Sequence, residues 1–374
     1  LKKVIVSVTN DLSSDQRVHR HCATLVALGF DVLLVGRQYK NSLLLPQRSY
    51  SCKRMKLWFS KGPFFYAEYN FRLFFFLLFQ RFDLLLSNDL DTLLPNYLVA
   101  SLRSKKLVYD SHEFYTGVPE LVSRPRVQRI WLSIEKYIFP KLKYVMTVND
   151  SIASIYKELY GISLAVVRNV PAKRPLPSVT RAQMGLPLQK KIILMQGAGI
   201  NIDRGAEEII EAMRLLSPND YVFLIVGSGD VLPQLKKMVQ DYKINEQVIF
   251  VDKVPMDVLM CYTVLADVGV TMDKDTNVNY RYSLPNKLFD YIQCGLPVLA
   301  TNLLEVQKVI TQHKVGAIVD DLSPKALAHS LGSFLNDDEA LMACKRNAKI
   351  AAEELCWEKE KMKFEQIIRN ATKV

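Results

Sequence analysis

Short apolar runs alternate with helix-like stretches twice along this chain, before and after a proline-rich break, and that rhythm leaves few folds open. The run Asp-Leu-Leu-Leu-Ser at 83–87 has the continuous apolar character of a strand buried on both faces, as in a parallel sheet. Strands are expected at 3–8, 31–35, 83–87, 106–110, 144–148 and 164–168. Residues 16–28 place Val18, Cys22, Leu25 and Val26 on one helical face, and Gly29 closes that helix. A second series is expected to have strands at 191–196, 221–226, 247–251, 267–271, 297–300 and 316–319. Between the series, 167–177 holds Pro171, Pro175 and Pro177 and reads as an interdomain linker. A chain of 374 residues exceeds the usual single-domain size. The expectation is α/β: two Rossmann-like, doubly wound domains facing across a cleft. The first should cover 1–168 and the second 169–356. A last helix over about 357–374, carrying Trp357, Met362, Phe364 and Ile368, should pack back on the first.

Charge is unevenly placed. Residues 1–165 hold 23 Lys and Arg against 13 Asp and Glu, a net +10, whereas 166–374 hold 26 against 25, a net +1. A basic first half suits nucleic acid, an anionic membrane or a phosphorylated acceptor. The six cysteines form no C-x-x-C pair, which argues for reduced thiols, a cytoplasmic setting and no zinc site. No signal-peptide pattern is read at the start. The aromatic stretch 63–79 is broken by Arg72 and is too short between charges to span a bilayer. Lys53, Arg54, Lys56, Lys61 and Arg81 flank it. It reads either as a core helix apolar all round or as a helix meeting a membrane interface.

The chemistry concentrates in a few loops. The segment Ser283-Leu284-Pro285-Asn286-Lys287 reads as a helix entrance, with Ser283 as cap and Pro285 in the first turn. Unpaired N–H groups and the helix dipole favour an anion there; Lys287 adds a charge and Asp290 follows one turn later. A pyrophosphate at the entrance and a ribose diol on Asp290 suit such a pocket, which is that of a nucleotide sugar. The glycines of 196–205 allow close backbone approach, and Arg204 can clamp a pyrophosphate. Gly227-Ser228-Gly229 is a weaker sign, shared with any tight turn. His112 follows a strand, where it can serve a sugar hydroxyl or a developing charge. Asp89 and Asp91 match a D-x-D metal spacing, but Asp91 is preferred as a helix cap. Asp15 suits a cap or a substrate contact, and Arg17 a phosphate or Asp15. Asp273-Lys274-Asp275 lacks further ligands at metal spacing. No glycine precedes Gly29, so a dinucleotide fingerprint is missing.

Together these residues resemble the retaining glycosyltransferases of family 4, which have a GT-B fold, and in particular the bacterial members that build surface polysaccharides. The resemblance implies a C-terminal domain that holds the donor and an N-terminal domain that binds the acceptor. It implies that Arg204 contacts the donor pyrophosphate, that Lys287 lies in the phosphate-facing helix entrance and that His112 sits near the reacting centre. Asp290 matches the second acid of the E-x7-E motif. The first falls on Tyr282, Ala198 stands where an arginine is usual, and Asn10-Asp11-Leu12 replaces a Gly-Gly turn.

The expected activity is transfer of a sugar from a nucleotide-diphosphate sugar to a hydroxyl acceptor, with retention. The expected catalytic residues are His112, Arg204 and Lys287. The expected donor contacts are Gly197, Asn201, Gly227, Ser283, Asn286 and Asp290. No metal and no cofactor beyond the donor are expected, and no nucleic-acid partner. The basic aromatic half suits a lipid-linked acceptor and a peripheral contact with an anionic membrane, at its inner face. A nucleotide-sugar 2-epimerase of the same fold and a non-catalytic membrane-surface scaffold are the alternatives.

Overall fold

A computed structural model describes residues 1–374 except 14, 43, 373 and 374, and of 119 and 120 only the backbone. Ser14 of the loop 10–17 and the last two positions of the expected terminal helix therefore lie outside the described residues. The chain divides into two compact units, Leu1–Asn169 with Trp357–Val374, and Val170–Cys356.

The first unit is built on seven parallel strands: β1 (Lys3–Ser7), β2 (Asp31–Gln38), β3 (Ser51–Lys56), β4 (Leu84–Asn88), β5 (Lys106–Ser111), β6 (Tyr144–Thr147) and β7 (Ala165–Val166). Their order is β3-β2-β1-β4-β5-β6-β7. Reversal at β1 makes this a doubly wound sheet, in which loops at the carboxyl ends of the strands collect the chemistry. β4 is buried at every position, as its unbroken apolar run requires. β3 departs from the sequence reading, which placed no strand there. Its residues Ser-Cys-Lys-Arg-Met-Lys turn only Met55 fully inward, and among the described residues it pairs with β2 alone. A charged edge strand of this kind discourages pairing with another chain.

The helices of this unit start and stop for local reasons. Asp15 caps the helix Gln16–Ala27, with Oδ1 accepting from Val18 N at 3.0 Å. Asn149 caps Asp150–Tyr160 in the same way, and Gly161 ends that helix at φ 68°. The helix Trp357–Thr372 buries Trp357, Phe364 and Ile368. Phe364 stacks on His21 with centroids 4.3 Å apart. Met362, expected on that face, is exposed.

The second unit carries six parallel strands: β8 (Lys191–Gly197), β9 (Tyr221–Gly227), β10 (Val248–Asp252), β11 (Val268–Thr271), β12 (Val298–Thr301) and β13 (Gly316–Val319). Their order is β10-β9-β8-β11-β12-β13. Two apolar clusters line the two faces of this sheet, one containing Leu194, Leu224 and Tyr291, the other Ile193, Phe223 and Ile225. Neighbours on β8 and β9 thus point to opposite clusters, as strand pleating dictates. Each such side chain contributes about 1.5–3 kcal/mol by leaving water.

Candidate active site

In the second unit, β8 runs into a loop that leads to the helix Ala206–Met213, and β11 runs into Asp273. Because β8 and β11 are neighbours, these loops meet. Arg204 Nη1 lies 2.9 Å from Asp273 Oδ2, and Lys287 Nζ lies 3.7 Å from Asp273 Oδ1. Two cations, one from each side, therefore grip one buried carboxylate. Tyr280 supports the arginine, whose guanidinium carbon sits 4.2 Å from the ring centroid. Burial pushes the Lys287 pKa down, and Asp273 opposes that shift only in part. The Asp273 carbonyl accepts from Thr301 Oγ1 at 2.7 Å, and Lys274 N donates to the Asp203 carbonyl at 2.9 Å, so both loops are anchored.

Lys287 and Asp290 share one face of the helix Asn286–Gln293, three residues apart. Asp290 Oδ2 accepts from Gln196 Nε2 at 3.5 Å, which places it beside the end of β8. The helix entrance differs from the sequence reading. Pro285 occupies the cap position instead of the first turn. Among the described residues no side chain caps the helix. Ser283, expected as the cap, instead donates its backbone N–H to the Tyr280 carbonyl, and its buried Oγ makes no hydrogen bond among the described residues. Asn286 is exposed as the first helical residue.

The glycines divide into two kinds. Gly227 has φ 147°, and a Cβ there would lie 1.8 Å from the Gly197 carbonyl oxygen. Its lack of a side chain serves the contact between the loops after β8 and β9, where Ser228 N donates to Gly197 O and Ile200 N to Ser228 O, both at 3.0 Å. Gly197 and Gly199 have open space on their Cβ sides, apart from their own contact at 3.9 Å. Asn201 stabilises the same pair of loops by accepting from Asp230 N at 3.2 Å.

His112 lies in the first unit, after β5, and the other expected site residues lie in the second. Both of its ring nitrogens are engaged. Nδ1 lies 3.1 Å from Asp89 Oδ2 and Nε2 lies 3.1 Å from Asp110 Oδ2, while His112 N donates to Asp89 Oδ1 at 2.9 Å. Burial alone would lower its pKa, but Asp89 and then Asp110 raise it well above the ordinary value, which favours the imidazolium form. Asp89 adopts φ 57°, an uncommon conformation for a residue other than glycine, at the turn out of β4. Arg17 holds Asp110 with two bonds, of 2.9 and 2.7 Å, and donates to the Val167 carbonyl at 2.8 Å. The expectation of a phosphate or Asp15 as its partner is thereby replaced. Burial would raise the Asp110 carboxyl, yet Arg17 and His112 hold it well below the carboxylate range.

Asp91 is not a cap. It lies inside the first turn of the helix Leu90–Leu102, and its Oδ2 accepts from Thr9 Oγ1 at 2.5 Å. Burial, with the charge of Asp89, pushes its pKa to about 7. The two acids of each D-x-D stretch thus serve different partners. Asp89 holds His112 and Asp91 holds Thr9, while Asp273 holds Arg204 and Asp275 holds Arg281 at 2.9 Å. Asp89, Asp110 and Asp273 have roles that the sequence did not reveal. Each lies at or just beyond the carboxyl end of a parallel strand, and that position was the available signal.

Residues 179–351 match the family described as Glycosyl transferases group 1, and residues 15–171 match Glycosyltransferase Family 4. The first match falls within the second unit and the other covers most of the first. The chain belongs to the group 1 glycosyltransferases. Sucrose-phosphate synthase from Thermosynechococcus elongatus shares the fold of this glycosyltransferase with a TM-score of 0.79, at 18% identity and 99% coverage of both chains. Anabaena HepE, solved in complex with UDP-glucose, does so with a TM-score of 0.76, at 13% identity over the whole of both chains. The fold of the glycosyltransferase is therefore GT-B. A D-inositol 3-phosphate glycosyltransferase from Corynebacterium urealyticum is 26% identical over 205 residues, which are 51% of this chain and 45% of the relative. The match thus spans less than half of that relative's length.

Proposed function

We propose that this glycosyltransferase moves a sugar from a nucleotide-diphosphate sugar to a hydroxyl acceptor with retention of anomeric configuration. The observation that carries this reading is the convergence of Arg204 and Lys287 on Asp273, beside an uncapped helix entrance. Such a constellation offers a diphosphate two cations and backbone N–H groups. The UDP-glucose complex of Anabaena HepE supports the donor class. In the reaction the anomeric carbon–oxygen bond breaks and its electron pair leaves on the nucleoside diphosphate. The acceptor oxygen bonds to the same face, and its proton passes to the departing phosphate oxygen. Arg204 and Lys287 stabilise the charge that grows on that leaving group, and no metal is assigned to the task. Asp290 is assigned the ribose hydroxyls, and Gly197 and Gly199 the close approach of the donor. His112 is assigned a fixed positive charge near the sugar, because both ring nitrogens are committed to Asp89 and Asp110 and neither is free to shuttle a proton.

The acceptor is assigned to cell-surface polysaccharide or glycolipid synthesis and to a lipid-linked form met at an anionic membrane. The test is turnover with UDP-, GDP- and ADP-sugars. Arg204→Ala and Lys287→Ala should each lower the rate on the order of 10²- to 10³-fold, as loss of one preorganised charge partner does. Wild-type turnover in Arg204→Ala would reject the scheme, and a free epimerised sugar nucleotide without acceptor would reassign the reaction.

A further inference from the structure

The helix Gly62–Phe79 carries large apolar side chains on all sides, broken by Glu68, Asn70 and Arg72, yet only one stripe of it is fully buried. Phe65, Tyr69, Leu73 and Leu77, four residues apart, are buried. Phe64, Phe71, Phe75 and Phe79 are 69%, 66%, 42% and 78% exposed, and their spacing keeps them on one opposite face. The loop before the helix adds Trp58 and Phe59, 86% and 47% exposed. Large apolar side chains on every side belong in a core or in lipid, and this helix has a core on one side only.

The exposed aromatics are held in place. Glu68 accepts from Trp58 N and Phe59 N at 3.0 Å each and from Arg72 Nε at 2.7 Å. The Arg72 guanidinium lies over the Trp58 ring at 4.8 Å, and Phe59 meets Phe64 at 5.5 Å. Along the chain the charge of this segment is mainly of one sign. Residues 53–82 contain six Lys or Arg and a single acid, Glu68, whose carboxylate is already committed. Lys53, Lys56, Lys61 and Arg81 are exposed, and β3 carries the first two along the sheet edge.

We infer that this face docks on an anionic lipid bilayer, with the aromatic side chains entering the headgroup boundary and Lys53, Lys56, Lys61 and Arg81 meeting lipid phosphates. Among the described residues no helix is long and apolar enough to cross a membrane, so the helix lies along the surface. A second copy of the chain is a poor occupant, because its identical face would bring the same cations together. The inference deepens the lipid-linked reading of the acceptor, but the binding it describes needs neither donor nor acceptor. Failure of the one is therefore distinguishable from failure of the other.

The test is sedimentation of the full chain with vesicles of phosphatidylcholine alone or with about one-third phosphatidylglycerol. Wild type should bind only the anionic vesicles, with a blue shift of tryptophan emission, and should release in high salt. The triple variant Trp58→Ser, Phe71→Ser, Phe79→Ser changes exposed positions only, so it should keep wild-type circular dichroism. Its vesicle partitioning should fall more than about tenfold. Lys56→Gln with Lys61→Gln should lower partitioning by about fivefold for each charge removed. Absence of wild-type binding to anionic vesicles, or unchanged binding of the triple variant, overturns the inference. A concentration-dependent dimer without lipid that the triple variant abolishes would also overturn it, in favour of a second copy.

Discussion

Asp273→Asn isolates the electrostatics of the proposed donor site. The substitution keeps the side-chain shape and leaves the backbone carbonyl that Thr301 uses. It removes the anion that faces Arg204 at 2.9 Å and Lys287 at 3.7 Å. Breaking a buried ion pair by removing one partner costs about 3–5 kcal/mol. The Arg204 side chain is 26% exposed, so water screens part of the loss and about 3 kcal/mol is the expected figure. For a unit of this size that corresponds to a fall of about 6–12 °C in Tm. A nucleoside diphosphate brings the missing negative charge. The variant should therefore bind UDP, GDP or ADP more tightly, and the gap should narrow at one shared concentration: a ligand at about 100 times its Kd adds about 2.7 kcal/mol, and a Kd about tenfold lower adds about 1.4 kcal/mol more. Differential scanning fluorimetry with and without each diphosphate reads both quantities. A double-mutant cycle with Arg204→Ala should show coupling of about 1 kcal/mol or more. An unchanged Tm, additive single effects, or a gap that no diphosphate narrows would refute the reasoning.

Four further outcomes follow from the structure. Asp91 has an ordinary pKa of 3.8 and about 7 when folded, so the folded chain binds the extra proton between those values. That contribution to stability is fully present below about pH 4 and is lost as pH rises to 7, on the order of 4 kcal/mol for three pKa units; denaturation curves should show Asp91→Asn gaining on wild type across this window. Gly227→Ala would set a Cβ 1.8 Å from the Gly197 carbonyl at φ 147°, so it should destabilise by about 3 kcal/mol or more in denaturant. Gly199→Ala, with open space at its Cβ, should fold within about 1 kcal/mol of wild type by the same measurement. By NMR the His112 ring should stay protonated through neutral pH, and Asp89→Asn should bring its titration midpoint down, since Asp89 is the largest influence raising it.

The division of information is visible in particular residues. The sequence alone placed β4, β8 and β9, because strands buried on both faces need unbroken apolar runs. It also marked Arg204 and Lys287, through the glycines and the helix entrance beside them. It did not reveal β3, whose Lys-Arg-Met-Lys run serves a sheet edge and has no core face to advertise. Nor did it reveal that Asp273 would hold both cations, or that Asp89 and Asp110 would hold His112. Arg204 and Asp273 are 69 positions apart, and Arg17 and Asp110 are 93 apart. Helix and strand patterns arise from neighbours a few residues away, so they are written locally. The partner of a charge at the end of a strand depends on which strands lie alongside, and only the packed sheet, with β8 beside β11 and β4 between β1 and β5, brings such groups together.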